Sequence, residues 1–344
     1  MDLCRSCRQP SVGCAVCLCL VFSAPKGNGH PTPLLGIVLV EKKEFLSQIT
    51  LVAIEASLLA GELLRQGFGS QFSISNKEGR HNLVTEYDHK AEKEIIRFIK
   101  NEIKNSCFLA EESGHSGNQG EQILWIIDPL DGTVNFAHQI PFFAVSIAAV
   151  FDDKIQSGII YQPITDELFV AEKGKGAFLY RTRPKTGNLD RRQAPGIDDP
   201  RELLCRSKSK FFTESGINGQ KLSVSKVKEI ASSMLSTGFP YDLEINPFHC
   251  IEHFVDLLKL GLPIRRFGSA ALDLAYTAAG RFEGFFEVEL APWDVAAGQL
   301  IVEEAGGRVS RWNGEPFDIY SRETIVATNG LIHDQIVKIL NRSV

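Results

Sequence analysis

The run Trp125-Ile126-Ile127-Asp128-Pro129-Leu130-Asp131-Gly132-Thr133 constrains this chain more than any other stretch. The apolar Ile123–Ile127 segment reads as a short buried strand, and Pro129 and Gly132 turn the chain at its end. Asp128 and Asp131 are thereby held on one tight loop at a strand tip. Two ionised carboxylates that close repel each other unless a cation sits between them. An all-oxygen donor set suits a hard ion such as Mg2+. The Gly132–Thr133 step offers backbone N–H groups and a hydroxyl to an anion or a water. Taken alone, a D-x-x-D-G turn fits a capped surface loop better than a metal site.

Two further acidic stretches change that balance. Ser106–Ala110 is a short, mostly apolar run ending in Glu111-Glu112-Ser113-Gly114, again with carboxylates at a strand tip. Pro292-Trp293-Asp294 precedes a helical pattern over Val295–Ala305 that stops at Gly306-Gly307. In isolation Asp294 reads as an N-cap and Glu111 as a solvated loop acid. Three acidic clusters at strand or helix ends are better explained together, by a multi-metal phosphate site.

At this point the chain resembles the inositol monophosphatase family of Mg2+-dependent, lithium-sensitive phosphatases. The family's first signature, W-[IV]-[IV]-D-P-[IL]-D-G-T-x-N-F followed by H-x-x-P-F-x-[AC]-V-S-I, is matched from Trp125 through Ile147, including His138, Pro141 and Phe142. Its second, P-W-D-x-A-A-G followed by E-A-G-G, is matched by Pro292–Gly298 and Glu304–Gly307. Weaker matches include Leu83–Asp88, Tyr161–Ile164, Gly174–Phe178 and Arg265–Ala271. The resemblance runs from about Phe45 to the end of the chain. One departure is Ala110, where the family usually has Gly.

The resemblance implies a layered α/β/α/β/α sandwich with the site between two sheets. It also implies a metal-dependent phosphomonoesterase acting on a small phosphorylated polyol, myo-inositol monophosphate first, with two or three Mg2+ ions. Glu111, Asp128 and the carbonyl of Leu130 would hold one metal, and Asp128, Asp131 and Asp294 a second. Thr133, backed by Asp88, would position or deprotonate the attacking water. The Gly132 and Thr133 N–H groups would bind phosphate oxygens. Gly268, Ser269 and Ala270 form the family's loop near the sugar ring, and Lys77 stands where a family lysine lies near the site. Glu287 would read substrate hydroxyls; Glu289, two residues on in the same strand pattern, would face the same side. Adenosine 3′,5′-bisphosphate phosphatases are disfavoured by Val134-Asn135-Phe136, whereas fructose 1,6-bisphosphate, histidinol phosphate and NADP+ stay open as substrates. A homodimer is the expected assembly. A regulatory binding protein that keeps the fold is a different class of answer, since some bacterial relatives associate with transcription machinery.

Composition bounds these readings. A hydrophobic content of 44% and a charged content of 23% are those of a soluble globular enzyme. The net charge of −5 and the lack of a basic stripe argue against direct nucleic-acid binding. An acidic protein that handles a phosphate dianion must draw positive charge from bound cations. Five of the eight cysteines crowd into the first nineteen residues, as Cys4-x-x-Cys7, Cys14-x-x-Cys17 and Cys19. The pairs stand too close together for most zinc modules. The apolar Gly13–Ala24 stretch resembles a signal-peptide core, but Phe22 and Pro25 flank the cut unfavourably, and it is too short to span a membrane. Residues 1–41 therefore read as a poorly ordered Cys-rich extension, and a targeting role for it stays open. The scattered Cys107, Cys205 and Cys250 fit a reducing, cytoplasmic setting.

Along the body, residues 42–344 read as one catalytic domain with halves at about 42–185 and 200–344. Apolar positions Ile49, Val52, Ala56, Leu59 and Leu63 give a first helix over Glu41–Gln66. Thr85-x-x-Asp88 reads as a capping box opening a second. Phe143–Phe151, Ile155–Tyr161 and Leu168–Ala171 suggest an antiparallel meander, and Arg181–Pro200 an exposed loop. Beyond it helices (Pro247–Leu260, Ala270–Ala279, Val295–Ala305, Leu331–Leu340) alternate with short strands, as helices packed on a sheet do.

Overall fold

The first helix runs over Leu34–Gly67 (α1), and from residue 48 it turns a stripe of mostly small residues inward. Ile49, Ala53, Ala56, Ala60 and Leu64 are fully buried, whereas Leu59 and Leu63, expected inside, stay half-buried. Alanines let the helix axis approach the sheet closely, so the contact runs one residue off the line of bulkiest side chains. The computed structural model describes residues 34–76, 83–117, 123–181, 212–213, 216–217 and 219–343. The Cys-rich stretch up to Pro33, Lys77 and most of the Arg181–Pro200 loop lie outside those residues.

A two-stranded ribbon, β1 (Ile74–Asn76) and β2 (Leu83–Thr85), leads into α2 (Glu86–Glu102). The expected capping box is present: the Asp88 carboxylate accepts from Thr85 N–H at 2.8 Å, and Thr85 Oγ1 accepts from Tyr87 N–H. Then come β3 (Ser106–Ala110), β4 (Gly114–Ser116), β5 (Ile123–Asp131), the one-turn helix α3 (Thr133–Ala137), β6 (Ala144–Phe151), β7 (Lys154–Gln162), β8 (Glu167–Glu172) and β9 (Gly176–Tyr180). A short ribbon, β10 (Phe212–Thr213) and β11 (Gly216–Ile217), precedes β12 (Gln220–Lys221). Among the described residues β12-β9-β8-β7-β6-β5-β3-β4 form an eight-stranded sheet, antiparallel except where β3 runs parallel to β5. Trp125 Nε1–H, donated to Ser106 Oγ at 2.9 Å, pins that parallel pair.

The second half holds β13 (Leu235–Thr237), α4 (Cys250–Lys259), β14 (Ile264–Arg265), α5 (Ala270–Ala278), β15 (Gly284–Val288), α6 (Pro292–Glu304), β16 (Arg308–Ser310), β17 (Thr324–Thr328) and α7 (His333–Leu340). Its sheet has the order β14-β13-β15-β17-β16. Strand β13 carried no signal in the sequence, being three residues long. The helix expected from Pro247 starts only at Cys250, because Phe248 and His249 adopt left-handed backbone angles.

Among the described residues, alternation along the strands divides the interior into three apolar clusters. Trp125, Ile127, Val145 and Ile147 pack on α1 and α2. Their neighbours Ile126, Ala144 and Ala148 face the other way, where α5 and α6 fill the space between the two sheets. Phe286, Val288 and Val326, on the far face of the smaller sheet, meet α4 and α7. The layers are thus α/β/α/β/α. Central strands buried on both faces read as nearly continuous apolar runs, as Ile123–Ile127 does. No helix among the described residues is long and apolar enough to cross a membrane.

His333 is buried between Ser310 Oγ at 2.8 Å and Thr328 Oγ1 at 2.9 Å, and burial pushes its imidazole down to about 4. Between that value and the ordinary 6.5, the unfolded chain binds a proton that the folded one refuses. Stability should therefore rise with pH across this window, at up to about 1.4 kcal/mol per unit. Urea unfolding of the wild type and His333→Asn from pH 4.5 to 7 checks this: the variant should lose part of that slope, and equal slopes would overturn the assignment.

Candidate metal-dependent phosphatase site

The carboxylates are brought together where β5 breaks. Pro129 has no N–H to give the sheet, and the β5–β6 register shifts between Asp128 and Asp131. A bulge of this kind re-aims side chains. Asp128 and Asp131 are both buried there. Asp128 Oδ1 accepts from Leu130 N–H at 2.9 Å. Asp131 Oδ2 accepts from the Ser269 hydroxyl at 2.6 Å and from Ala271 N–H at 2.8 Å. Ser269, expected near a sugar ring, thus directs its hydroxyl at the acidic turn and caps α5.

Asp294 is not the N-cap of its helix. Helix α6 starts two residues before it, at Pro292, and the Asp294 carboxylate reaches back to accept from Ala291 N–H at 2.7 Å. Proline is pre-organised for a first helical position, and it moves the helix start upstream. Glu111 follows β3, its N–H donated to Ile127 O at 3.1 Å. Glu112 N–H is donated to the buried Glu92 carboxylate at 2.8 Å, fixing the turn from α2. Ala110 is fully buried, paired with Ile127, so the methyl group is accommodated.

Asp88, fully buried, divides its oxygens. One takes the Thr85 cap bonds, and the other accepts from Thr133 Oγ1 at 3.0 Å. Thr133 Oγ1 also lies 3.0 Å from Leu130 O. Having one proton, the hydroxyl can satisfy only one of these acceptors at a time.

Among the described residues acids dominate the electrostatics of the site, and the opposing charges of Arg322 on Asp294 and Arg266 on Glu287 are outweighed. Burial, then repulsion from Glu111, Asp131 and Asp294, holds Asp128 well above the usual carboxylate range. Burial pushes Asp131 up to about 6, against its hydrogen bonds from Ser269 and Ala271. Asp294 is raised by burial and by Asp131 and Glu111, and Asp88 by burial. Among the described residues no three Asp, Glu, His or Cys side chains are already gathered into a metal cage. In kind the donors fit Mg2+: hard oxygens, buried, like-charged, and relieved of repulsion by a cation.

Glu287 lies on β15, partly buried, and burial, then Asp294 and Asp131, raises its carboxyl well above its usual range. Its carboxylate rests against Gly238, where a Cβ would stand 2.2 Å from Oε1. Glu289 does not share its face. The strand ends at Val288, Glu289 takes a φ of 60°, and its side chain is exposed. One acid escaped the sequence reading: Asp273 on α5, buried, raised by burial and by the charges of Glu287 and Asp131. A lone Asp in the apolar run Ala270–Ala279 was the available signal.

An acid-rich bulge, a Thr–Asp pair and a five-layer sandwich define a class of protein before any comparison. The model of the inositol monophosphatase family matches residues 46–344, and the chain belongs to that family. It is 37% identical over 289 residues to the inositol-1-monophosphatase of Synechocystis sp., covering 84% of this chain and 87% of that one. It is 34% identical over 264 residues to the Nus factor SuhB of Escherichia coli K12, covering 76% and 85%. The solved inositol monophosphatase of Anabaena superposes with a TM-score of 0.66 at 35% identity, over 87% of this chain and 96% of that one.

Proposed function

We propose that the protein is a Mg2+-dependent phosphomonoesterase that hydrolyses a myo-inositol monophosphate to inositol and phosphate. The observation that carries this reading is the turn that holds the buried Asp128 and Asp131 and also Thr133, whose hydroxyl lies 3.0 Å from the buried Asp88 carboxylate, with Asp294 near enough to raise Asp128 by like charge. Glu111, Asp128 and Leu130 O would hold one ion, and Asp128, Asp131 and Asp294 another. Bound Mg2+ would supply charge neutralisation at the phosphate and acidify a water. Thr133, its hydroxyl bonded to Asp88, would orient the attacking water, and Asp88 would take up a proton through that hydroxyl. The Gly132 and Thr133 N–H groups bind phosphate oxygens, so positioning and charge, more than covalent chemistry, lower the barrier. The Escherichia coli relative is named a Nus factor. A second, regulatory role is compatible with catalysis here, since the full carboxylate set is present. A panel of phosphomonoesters assayed with and without Mg2+ tests the reading; no Mg2+-stimulated release of phosphate from any of them would end it.

Glu287 is the residue proposed to read ring hydroxyls. A charge-assisted hydrogen bond contributes roughly 1.5–3 kcal/mol. Glu287→Gln should therefore lower kcat/KM for inositol 1-phosphate by roughly ten- to a hundredfold and hardly affect a simple aryl phosphate. Equal losses on both would assign Glu287 to the metals or the fold.

A further inference from the structure

We propose that Asn135 is a positioning residue that sets the spacing between the phosphate end and the ring end of the substrate site. This inference rests on the phosphatase reading above. Asn135 lies in α3, one turn beyond Gly132, and is buried. Its Nδ2 donates to Phe142 O at 2.8 Å and to Phe267 O at 2.7 Å, with Gly268 O at 3.5 Å. Both short partners are carbonyl oxygens, so only the NH2 side of the amide can face them, and its two protons are fully used.

Three chain segments therefore meet at one amide: the acidic turn, the approach to β6, and the 267–270 loop. The Phe142 and Phe267 rings stack at 4.6 Å on the same seam. The approach is close enough that a Cβ on Gly132 would stand 3.0 Å from Phe142 O and 3.2 Å from Gly268 O. Carbonyl oxygens converging away from water repel each other and lack donors unless the amide supplies them. In the phosphatase reading, Gly132 belongs to the phosphate end and Gly268, Ser269 and Ala270 to the ring end. The same loop sends the Ser269 hydroxyl and Ala271 N–H to Asp131. Without the amide, the loop keeps its bonds to Asp131 but loses the tie at Phe267, so its 267–270 end can shift from the turn, and a phosphate seated on the turn no longer presents its ring to the loop.

Hydrogen exchange on the full-length protein tests this without reference to activity. In the wild type, the Asn135 side-chain amide protons should exchange slowly. In Asn135→Ala and Asn135→Asp, the backbone amides of residues 268–272 should exchange at least tenfold faster, while β17 keeps its protection. Asp is nearly isosteric but turns an acceptor toward both carbonyls, so it should not rescue. At saturating Mg2+, kcat/KM for inositol 1-phosphate should fall at least tenfold more than for 4-nitrophenyl phosphate, which has no polyol ring to seat. Freely exchanging Asn135 amide protons, unchanged protection at 268–272, or equal falls on both esters would overturn the proposal. A wild type that hydrolyses neither ester would defeat the phosphatase reading, and exchange at 268–272 alone would then decide whether Asn135 holds the loop.

Discussion

Asp131→Asn is expected to reduce kcat by on the order of a thousandfold at saturating Mg2+, about 4 kcal/mol of barrier at roughly 1.4 kcal/mol per decade. The amide keeps the size of the side chain, but its orientation is imposed. Two donors, Ser269 Oγ–H and Ala271 N–H, address Oδ2, so the Asn carbonyl must take that place. The NH2 then takes the place of Oδ1, setting a donor where a bound cation would need an oxygen. Retention of more than about a tenth of wild-type kcat would sink the metal assignment. A companion measurement separates chemistry from folding. Asp131 is pushed up to about 6 from an ordinary 3.8. Its ionisation above that value therefore opposes folding of the metal-free protein. In EDTA at pH 7 the variant should melt no lower than the wild type, and a lower midpoint would mean the loss of activity reflects misfolding.

Gly132→Ala should be nearly as damaging by a different route. Gly132 has a φ of 97°, a conformation that costs an L-residue roughly 1–2 kcal/mol. Its new methyl group would also press on Phe142 O, Gly268 O and Phe143 Cβ at 3.0–3.2 Å. Two of those neighbours are backbone and cannot rotate aside, and overpacking of this kind costs about 1–3 kcal/mol. Urea unfolding should show a loss of about 2–5 kcal/mol. The turn also carries Asp131 and Thr133, and misplacement by about 1 Å at a reacting centre costs on the order of a hundredfold. A variant with kcat within threefold of wild type would show that the turn tolerates the shift.

The strand and turn over 123–132, the Thr85–Asp88 box and the 143–171 meander were legible because each depends on residues a few positions apart. Pro129 and Gly132 act on their own backbone, and alternating burial is written directly into Ile126 and Ile127. The candidate acids were legible too, as residue types at the ends of elements. Their roles were less so. Asp294 looked like a cap because an Asp before an apolar helix usually is one, and Pro292 shifted the helix start by two residues. Glu289 looked equivalent to Glu287 until the strand ended between them. Asn135 stood in the family signature with no role attached to it.

By itself, then, the sequence determined the local chemistry of this protein: a bulged, acidic strand end, a capped helix and the family signatures around them. Only the tertiary structure decided which of these groups meet. Ser269 reaches Asp131 across 138 residues, and Asn135 reaches Phe267 across 132. A hydrogen bond at such separation leaves no periodicity or spacing in the chain, because its geometry is set by how two sheets and the helices between them pack. Even the charge state of the acids is a tertiary property, since burial is the first cause of every shift at Asp128, Asp131, Asp294 and Glu287, and burial exists only once the layers have closed over them.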